Sequence, residues 1–326
     1  MILVDYPLQP AAQDKLNAAG IEWIASPDPR RSPVADYVGT LAPDVRAGID
    51  IMLGDAFKAN RELLALLPNL RWIHHFAAGL SDKRSLDWDL LNGRHIAVST
   101  SKIQSVSVSE LAVAMLLALA KRLPGIMDAQ QHHCYDTDIM PSMLSGKTAL
   151  IVGTGNIGRE IGRKLTMGFN MHVAGINEDG SPIPCFSETA RMDQLDVMID
   201  RVDAVILACP LTDATRGMMN RARIARMKPG AYFVNVARGQ LVDQDALVDA
   251  LNQGAIAGAA CDVFANEPPN QDDAVWTARN LLITPHIAGS NPDYSINLVD
   301  AFIKNLPFYL EGRKTEMPNY ANVNRY

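Results

Sequence analysis

From residue 149 onward the chain repeats one pattern, a short run of almost wholly apolar residues followed by a stretch with apolar residues at helical spacing. The apolar runs occupy residues 149–153, 171–176, 204–210, 232–237, 255–263 and 281–286. Helical segments such as 156–167 and 243–252 lie between them, the latter opening with Asp243 in N-cap position. A strand that is apolar on both faces must be covered on both faces, and strands joined through helices run parallel. The fold that meets both demands is α/β, a doubly wound parallel sheet with helices on each side. Six strands is the number expected of the Rossmann arrangement.

The first hundred residues carry a second α/β pattern in "MILVDYP", "IEWIAS", "DIMLGDA", "RWIHHFAAG" and "HIAVSTS", with "NRELLALLPNL" as an amphipathic helix. It has no glycine-rich phosphate signature and reads as a smaller, flavodoxin-like domain. A long apolar helix over 107–122 follows, wide enough in its apolar face to be buried on several sides, as suits a connector between domains or a subunit face over 108–123. "INLVDAFIKNLPFYLEGR" is helical again, with Pro307 expected to kink or interrupt it. The division expected is residues 1–101, completed by 290–326, and residues 102–289.

Composition narrows the class of function. With 326 residues, 48% of them hydrophobic and 20% charged, the chain can build two cores. A formal net charge of -6 disfavours nucleic acid and anionic membrane as partners and leaves small molecules. Cys134, Cys185, Cys209 and Cys261 are widely separated, with no CxxC, which suggests neither a disulfide framework nor a zinc knuckle and fits a reducing cytoplasm. Residues 1–7 lack the basic start of a signal peptide, and the most apolar stretch, 111–120, is about half of a bilayer span. His74-His75 and His132-His133 have no third ligand at a useful spacing, and no metal is expected.

Gly153-Thr154-Gly155-Asn156-Ile157-Gly158 is a GxGxxG between an apolar strand and a helix, the context that gives the motif meaning. Its first glycine permits the tight turn, its second lets a pyrophosphate reach the backbone, and its third lets helix and strand pack closely. The helix N-terminus then offers free N–H groups to the phosphates. About twenty residues on, where an acidic residue would hold the adenosine ribose of NAD, stands Asn177. Its amide can bond a hydroxyl or serve only the turn; Glu178 and Asp179 follow, with no Arg or Lys close by in sequence. This favours NAD and leaves NADP open. In an open α/β sheet the ligand lies beyond the carboxyl ends of the strands. There the six runs carry Gly153, Asn177, "CPLT" from Cys209 to Thr212, Arg238, Asp262 and His286. An arginine delivered by a buried strand must reach solvent or meet an anion. Cys209 is read as a pocket-lining thiol, since no base accompanies it.

"GTGNIGR", "MKPGAYFVNVARGQLVD", "CDVFANEP" and "TPHIAG" resemble the successive signatures of the D-isomer-specific 2-hydroxyacid dehydrogenases, over residues 105–289 and more faintly beyond. The resemblance implies an NAD(P)-dependent oxidoreductase moving hydride between nicotinamide and the carbonyl of a small 2-keto acid. Arg238 resembles the substrate-binding arginine, His286 the acid/base, and Glu267 the carboxylate that orients the imidazole. Asp262 is similar to an aspartate near the nicotinamide, with Val236, Ala237 and Gly289 along the cofactor, and Cys209, Pro210 and Thr215 beside it; a turn role suits Thr215 equally. "FAAGLSD" resembles a loop whose N–H groups, here of Ala78 and Gly79, hold the substrate carboxylate; the small Ala78 leaves room for a larger substrate. On this reading 1–101 is the substrate domain and 102–289 the NAD(P)-binding domain. The resemblance also implies a homodimer and puts Tyr135 where relatives carry a tryptophan that reaches the neighbouring subunit. Glu267, in place of a glutamine, disfavours a formate dehydrogenase. A non-catalytic NADH-sensing corepressor keeps the same residues and stays as the alternative, whereas a methyltransferase leaves Arg238 with His286 unexplained.

Overall fold

The computed structural model describes residues 1–29, 32–80 and 86–321. The chain divides into two compact units, Met1–Gln104 with Asn291–Tyr326, and Ser105–Ser290.

The first unit holds β1 (Ile2–Asp5), β2 (Trp23–Ala25), β3 (Ile51–Gly54), β4 (Trp72–His75) and β5 (Ala97–Thr100). All pairings are parallel and the order is β2-β1-β3-β4-β5, the flavodoxin-like order. Side chains alternate across the sheet, so β1 sends Leu3 to one apolar layer and Ile2 and Val4 to the other. The second layer is closed by the helix Tyr294–Leu310, whose Phe302 stacks on Trp72 with centroids 4.9 Å apart. Contrary to the sequence-based expectation, that helix runs through Pro307 unbroken. The proline lacks the N–H that would bond the Ile303 carbonyl, but only one turn follows it, and that turn is closed by the Glu311 N–H on the Pro307 carbonyl at 3.0 Å. The two adjacent histidines are structural: His74 is fully buried, its ring nitrogens meeting Ser99 Oγ at 2.7 Å and Ser101 Oγ at 2.9 Å. Burial and the neighbouring His75 push its pKa down to about 3, so it stays neutral.

The second unit holds β6 (Thr148–Val152), β7 (His172–Asn177), β8 (Glu188–Arg191), β9 (Ala204–Leu207), β10 (Tyr232–Asn235), β11 (Gly258–Cys261) and β12 (Leu281–Ile283), again all parallel. Their order is β12-β11-β10-β9-β6-β7-β8. The sheet therefore has seven strands where six were expected. The extra strand, β8, reads Glu-Thr-Ala-Arg and has no apolar run to announce it, because at the sheet edge no residue in it is fully buried. β9, β10, β11 and β12 are shorter than the apolar runs that hold them, and the residues beyond them form loops of the candidate site. Apolar layers cover both faces, as a doubly wound sheet requires.

The long helix spans Ser105–Ala120, and Val108, Ala112, Met115 and Leu116 on it are buried within this unit, against β10, β11 and the helix Asn156–Phe169. Val106 on this helix is exposed, and further exposed apolar side chains come just after it, Leu123, Ile126 and Met127 on the helix Leu123–Gln131 and then Tyr135, Met140 and Met143. Among the described residues no helix is long and apolar enough to cross a membrane, and no three His, Cys, Asp or Glu side chains group as metal ligands.

Candidate active site

Because every strand of the second unit runs the same way, the residues that follow β6, β7, β9, β10, β11 and β12 share one edge of the sheet. Strand order reverses between β6 and β9, the switch point at which such sheets bind ligands. There Gly153 follows β6 with φ +99°, and a Cβ on it would lie 2.6 Å from Cys209 Cα and N, so only glycine lets the two strand ends meet. Gly158 is equally constrained, since a Cβ there would fall 1.9 Å from the Gly153 carbonyl oxygen. Gly155 differs. It caps the helix Asn156–Phe169, and a Cβ on it would meet no protein atom within 4 Å. The open space at Gly155, at the end of the helix where the first N–H groups, of Asn156 and Ile157, have no partner within the helix, suits a pyrophosphate. A dinucleotide therefore fits the loop.

Asn177 ends β7, and its amide is engaged locally: Oδ1 accepts from the Gly180 N–H and Nδ2 donates to the Ser181 carbonyl at 2.9 Å. Thr215 is likewise tied into its turn, donating to the Pro210 carbonyl and accepting from the Thr212 N–H, both at 2.8 Å. Cys209 is buried, and burial pushes its thiol up to about 12, which leaves it un-ionised and without nucleophilic character.

Arg238 follows β10 in extended backbone, φ −145° and ψ 142°. The buried Asn235 shapes this exit by accepting from the Ala237 N–H and donating to the Arg238 carbonyl, each at 3.0 Å. Val236 and Ala237 are buried between them. Gly239 has no room for a side chain, as a Cβ would lie 1.9 Å from the Phe264 carbonyl carbon. One Arg238 amino group donates to the Ala237 carbonyl at 2.7 Å.

Asp262, after β11, is almost fully buried and acts as a clamp. One oxygen accepts from the Thr284 hydroxyl and, at 3.0 Å, from the Ile287 N–H; the other accepts from the Ala288 N–H at 2.9 Å. The clamped segment holds His286, whose φ of +54° is uncommon for a residue with a side chain. Its own N–H donates to the Asp262 carbonyl at 2.9 Å. Gly289 follows directly in the same turn region.

His286 Nδ1 lies 2.6 Å from Glu267 Oε2, and Glu267 Oε1 accepts from the Phe264 N–H at 3.0 Å. The bond to Glu267 raises the His286 pKa above its ordinary value, against the opposing effects of burial and of the Arg238 charge. Burial works against ionisation of Glu267, but the bonds from His286 and Phe264, with the charges of His286 and Arg238, outweigh it and hold the carboxyl below its ordinary range. With Nδ1 directed to the carboxylate, Nε2 is left as the nitrogen that can pass a proton outward. The edge thus assembles a phosphate-binding turn, a guanidinium and a protonatable imidazole backed by a carboxylate.

Three supporting residues carry no signal that singles them out in the sequence: Asn235 and Gly239, which direct Arg238, and Thr284, which joins Asp262. In the first unit Ala78 and Gly79 lie in the loop after β4, half-buried. The end of "FAAGLSD", from Ser81, lies outside the described residues.

Residues 113–288 match the model of the D-isomer specific 2-hydroxyacid dehydrogenase NAD binding domain. A hydroxypyruvate reductase of Blautia hydrogenotrophica is 30% identical over 83% of this chain and 85% of its own length. Among solved structures, the TT0316 protein of Thermus thermophilus is 28% identical with a TM-score of 0.79, covering 98% of this chain and 99% of its own. An NADPH-dependent glyoxylate/hydroxypyruvate reductase of Sinorhizobium meliloti is 25% identical with a TM-score of 0.79, covering 98% and 97%. With its glycine turn and its paired histidine at the sheet edge, the chain belongs to the D-isomer specific 2-hydroxyacid dehydrogenase family of NAD(P)-dependent oxidoreductases.

Proposed function

We propose that the protein reduces a small 2-keto acid to the D-2-hydroxy acid, with substrates of the glyoxylate, hydroxypyruvate or lactate type. The observation that carries this reading is the 2.6 Å pairing of His286 with Glu267 within reach of the Arg238 charge. Arg238 binds the substrate carboxylate and polarises the carbonyl; its planar fork suits two neighbouring oxygens. The nicotinamide, when bound, supplies the hydride. His286 passes its Nε2 proton to the oxygen that becomes the alkoxide, and Glu267 keeps the ring oriented and charged until then. The oxidative direction reverses these roles. Gly153, Gly155, Asn156, Ile157 and Gly158 hold the pyrophosphate, while Val236, Ala237, Cys209, Pro210, Thr215 and Gly289 line the cofactor. In the first unit the amides of Ala78 and Gly79 are the candidate substrate-binding donors. On this reading the first unit serves substrate and the second serves cofactor.

The exposed apolar run Leu123, Ile126, Met127, Tyr135, Met140 and Met143 supports a homodimer formed through residues 123–143. Four unpaired cysteines, two of them exposed, support a cytoplasmic setting. The test is steady-state oxidation of NADH and of NADPH with glyoxylate, hydroxypyruvate, pyruvate and a bulkier 2-keto acid. Turnover of at least one is expected. A protein that binds the reduced cofactor yet turns over none would be a sensor, and the reading would be abandoned.

A further inference from the structure

We propose that Arg191, at the end of β8, makes the cofactor site select the 2'-phosphorylated dinucleotide, NADPH over NADH. The inference deepens the dinucleotide reading above and rests on it. It also turns on the one strand that the sequence does not announce.

In a sheet of this kind the adenosine ribose is held at the end of the second strand, here β7, whose last residue is Asn177. Three features of that corner matter. A carboxylate is missing at Asn177, so nothing at that position repels a phosphate on the ribose. The Asn177 amide is consumed by Gly180 and Ser181, so it is not a free partner for ribose hydroxyls. And Arg191 is the direct parallel partner of Asn177 in the β7–β8 register, one strand spacing away.

Paired residues of parallel strands point to the same face, and alternation identifies which face this is. Val173 packs in the layer with Ile161 and Leu165 of the helix Asn156–Phe169, while Ala174, Ile176 and Ala190 pack in the opposite layer. Asn177 and Arg191 therefore both face the side of the helix that opens at the glycine turn. The Arg191 Cγ runs against Gly180, 3.1 Å from where a Cβ would stand, which carries the side chain along the 177–181 turn. Arg191 is exposed and makes no side-chain hydrogen bond or ion pair among the described residues. An unsatisfied, planar, permanently charged donor beside the ribose position is the group that a 2'-phosphate requires.

Two carboxylates stand near and must be weighed. Asp179 is turned into its own loop, accepting from the Ser181 N–H at 3.0 Å; this bond, with the Arg191 charge as a lesser cause, holds its pKa below the ordinary range. Glu178 is exposed, with no hydrogen bond or ion pair among the described residues, and solvent screens it. Neither carboxylate is fixed toward Arg191 by a hydrogen bond, whereas a bound phosphate can be gripped by two N–H groups at once.

Calorimetric titration of the full chain with NADPH, NADH, 2',5'-ADP and 5'-AMP, without substrate, tests the assignment. The expected result is tighter binding of NADPH than NADH by about ten-fold or more, and of 2',5'-ADP than 5'-AMP in the same sense. Arg191→Ala should erase that preference and leave NADH within about two-fold of its original affinity, and Arg191→Lys should recover part of it. A thermal melt of each variant checks folding. Equal or tighter binding of NADH by the unaltered protein, or equal losses for both cofactors in Arg191→Ala, overturns the role of Arg191 alone. Binding of neither dinucleotide overturns the cofactor reading itself and the proposal with it.

Discussion

His286 and Glu267, nineteen residues apart, meet at 2.6 Å through Nδ1 and Oε2, and each moves the other's titration in the direction that keeps both charged. The imidazole is held protonated above its ordinary pKa and the carboxyl ionised below its own. Reduction of a carbonyl consumes a proton, so the active form carries His286 as imidazolium.

The rate of keto-acid reduction should therefore hold to higher pH than a free imidazole would allow. In Glu267→Gln the bond that raises the histidine pKa becomes neutral, and the alkaline limb of the kcat/KM profile should move to lower pH. A limb that stays in place in the variant would remove Glu267 from this role. The pair's contribution to stability has a matching window. The His286 part is complete below its ordinary pKa and fades as pH rises through the raised value. The Glu267 part is complete above its ordinary pKa and fades as pH falls through the lowered one. Both groups are partly exposed, so this effect on unfolding is small.

Replacing Arg238 by lysine keeps the charge and loses the fork. The expected result is a fall in kcat/KM of about a hundred-fold or more for the 2-keto acid, with NAD(P)H affinity nearly unchanged. Steady-state kinetics beside cofactor titration would check this; a loss confined to cofactor binding would contradict it.

Two glycines should respond in opposite ways. At Gly155 there is open space, so Gly155→Val should fold with near-normal stability and lose dinucleotide affinity, as seen by titration. At Gly239 a Cβ would lie 1.9 Å from the Phe264 carbonyl carbon, so Gly239→Ala should be destabilised by about 1–3 kcal/mol or more in denaturant unfolding.

Asp262 holds the Thr284 hydroxyl and the Ile287 and Ala288 N–H groups with two oxygens. Asp262→Ala should lower unfolding stability by about 1–3 kcal/mol for each donor left unpaired in the interior. It should also lower kcat, because the segment that presents His286 loses its clamp. Unchanged kcat in a variant shown to be less stable would separate the clamp from the chemistry.

The sequence by itself determined the elements whose physics is local. Apolar runs bounded by turn residues marked five strands of the first unit and six of the second, because a strand covered on both faces is built mainly of apolar residues. The glycine turn, too, was legible, since its spacing is set by a tight turn and a close helix. Only the tertiary structure decided what depends on neighbours distant in the chain. β8 is an edge strand that needs no apolar run. Pro307 costs the last turn of its helix too little to break it. The long helix over Ser105–Ala120 buries Val108, Ala112, Met115 and Leu116 within its own unit, a choice of face that its nearly uniform apolar sequence does not reveal. Above all, the register that sets Arg191 beside Asn177 and the bends that set His286 against Glu267 belong to no local pattern. They arise when parallel strands align their carboxyl ends, and that alignment is a property of the assembled sheet.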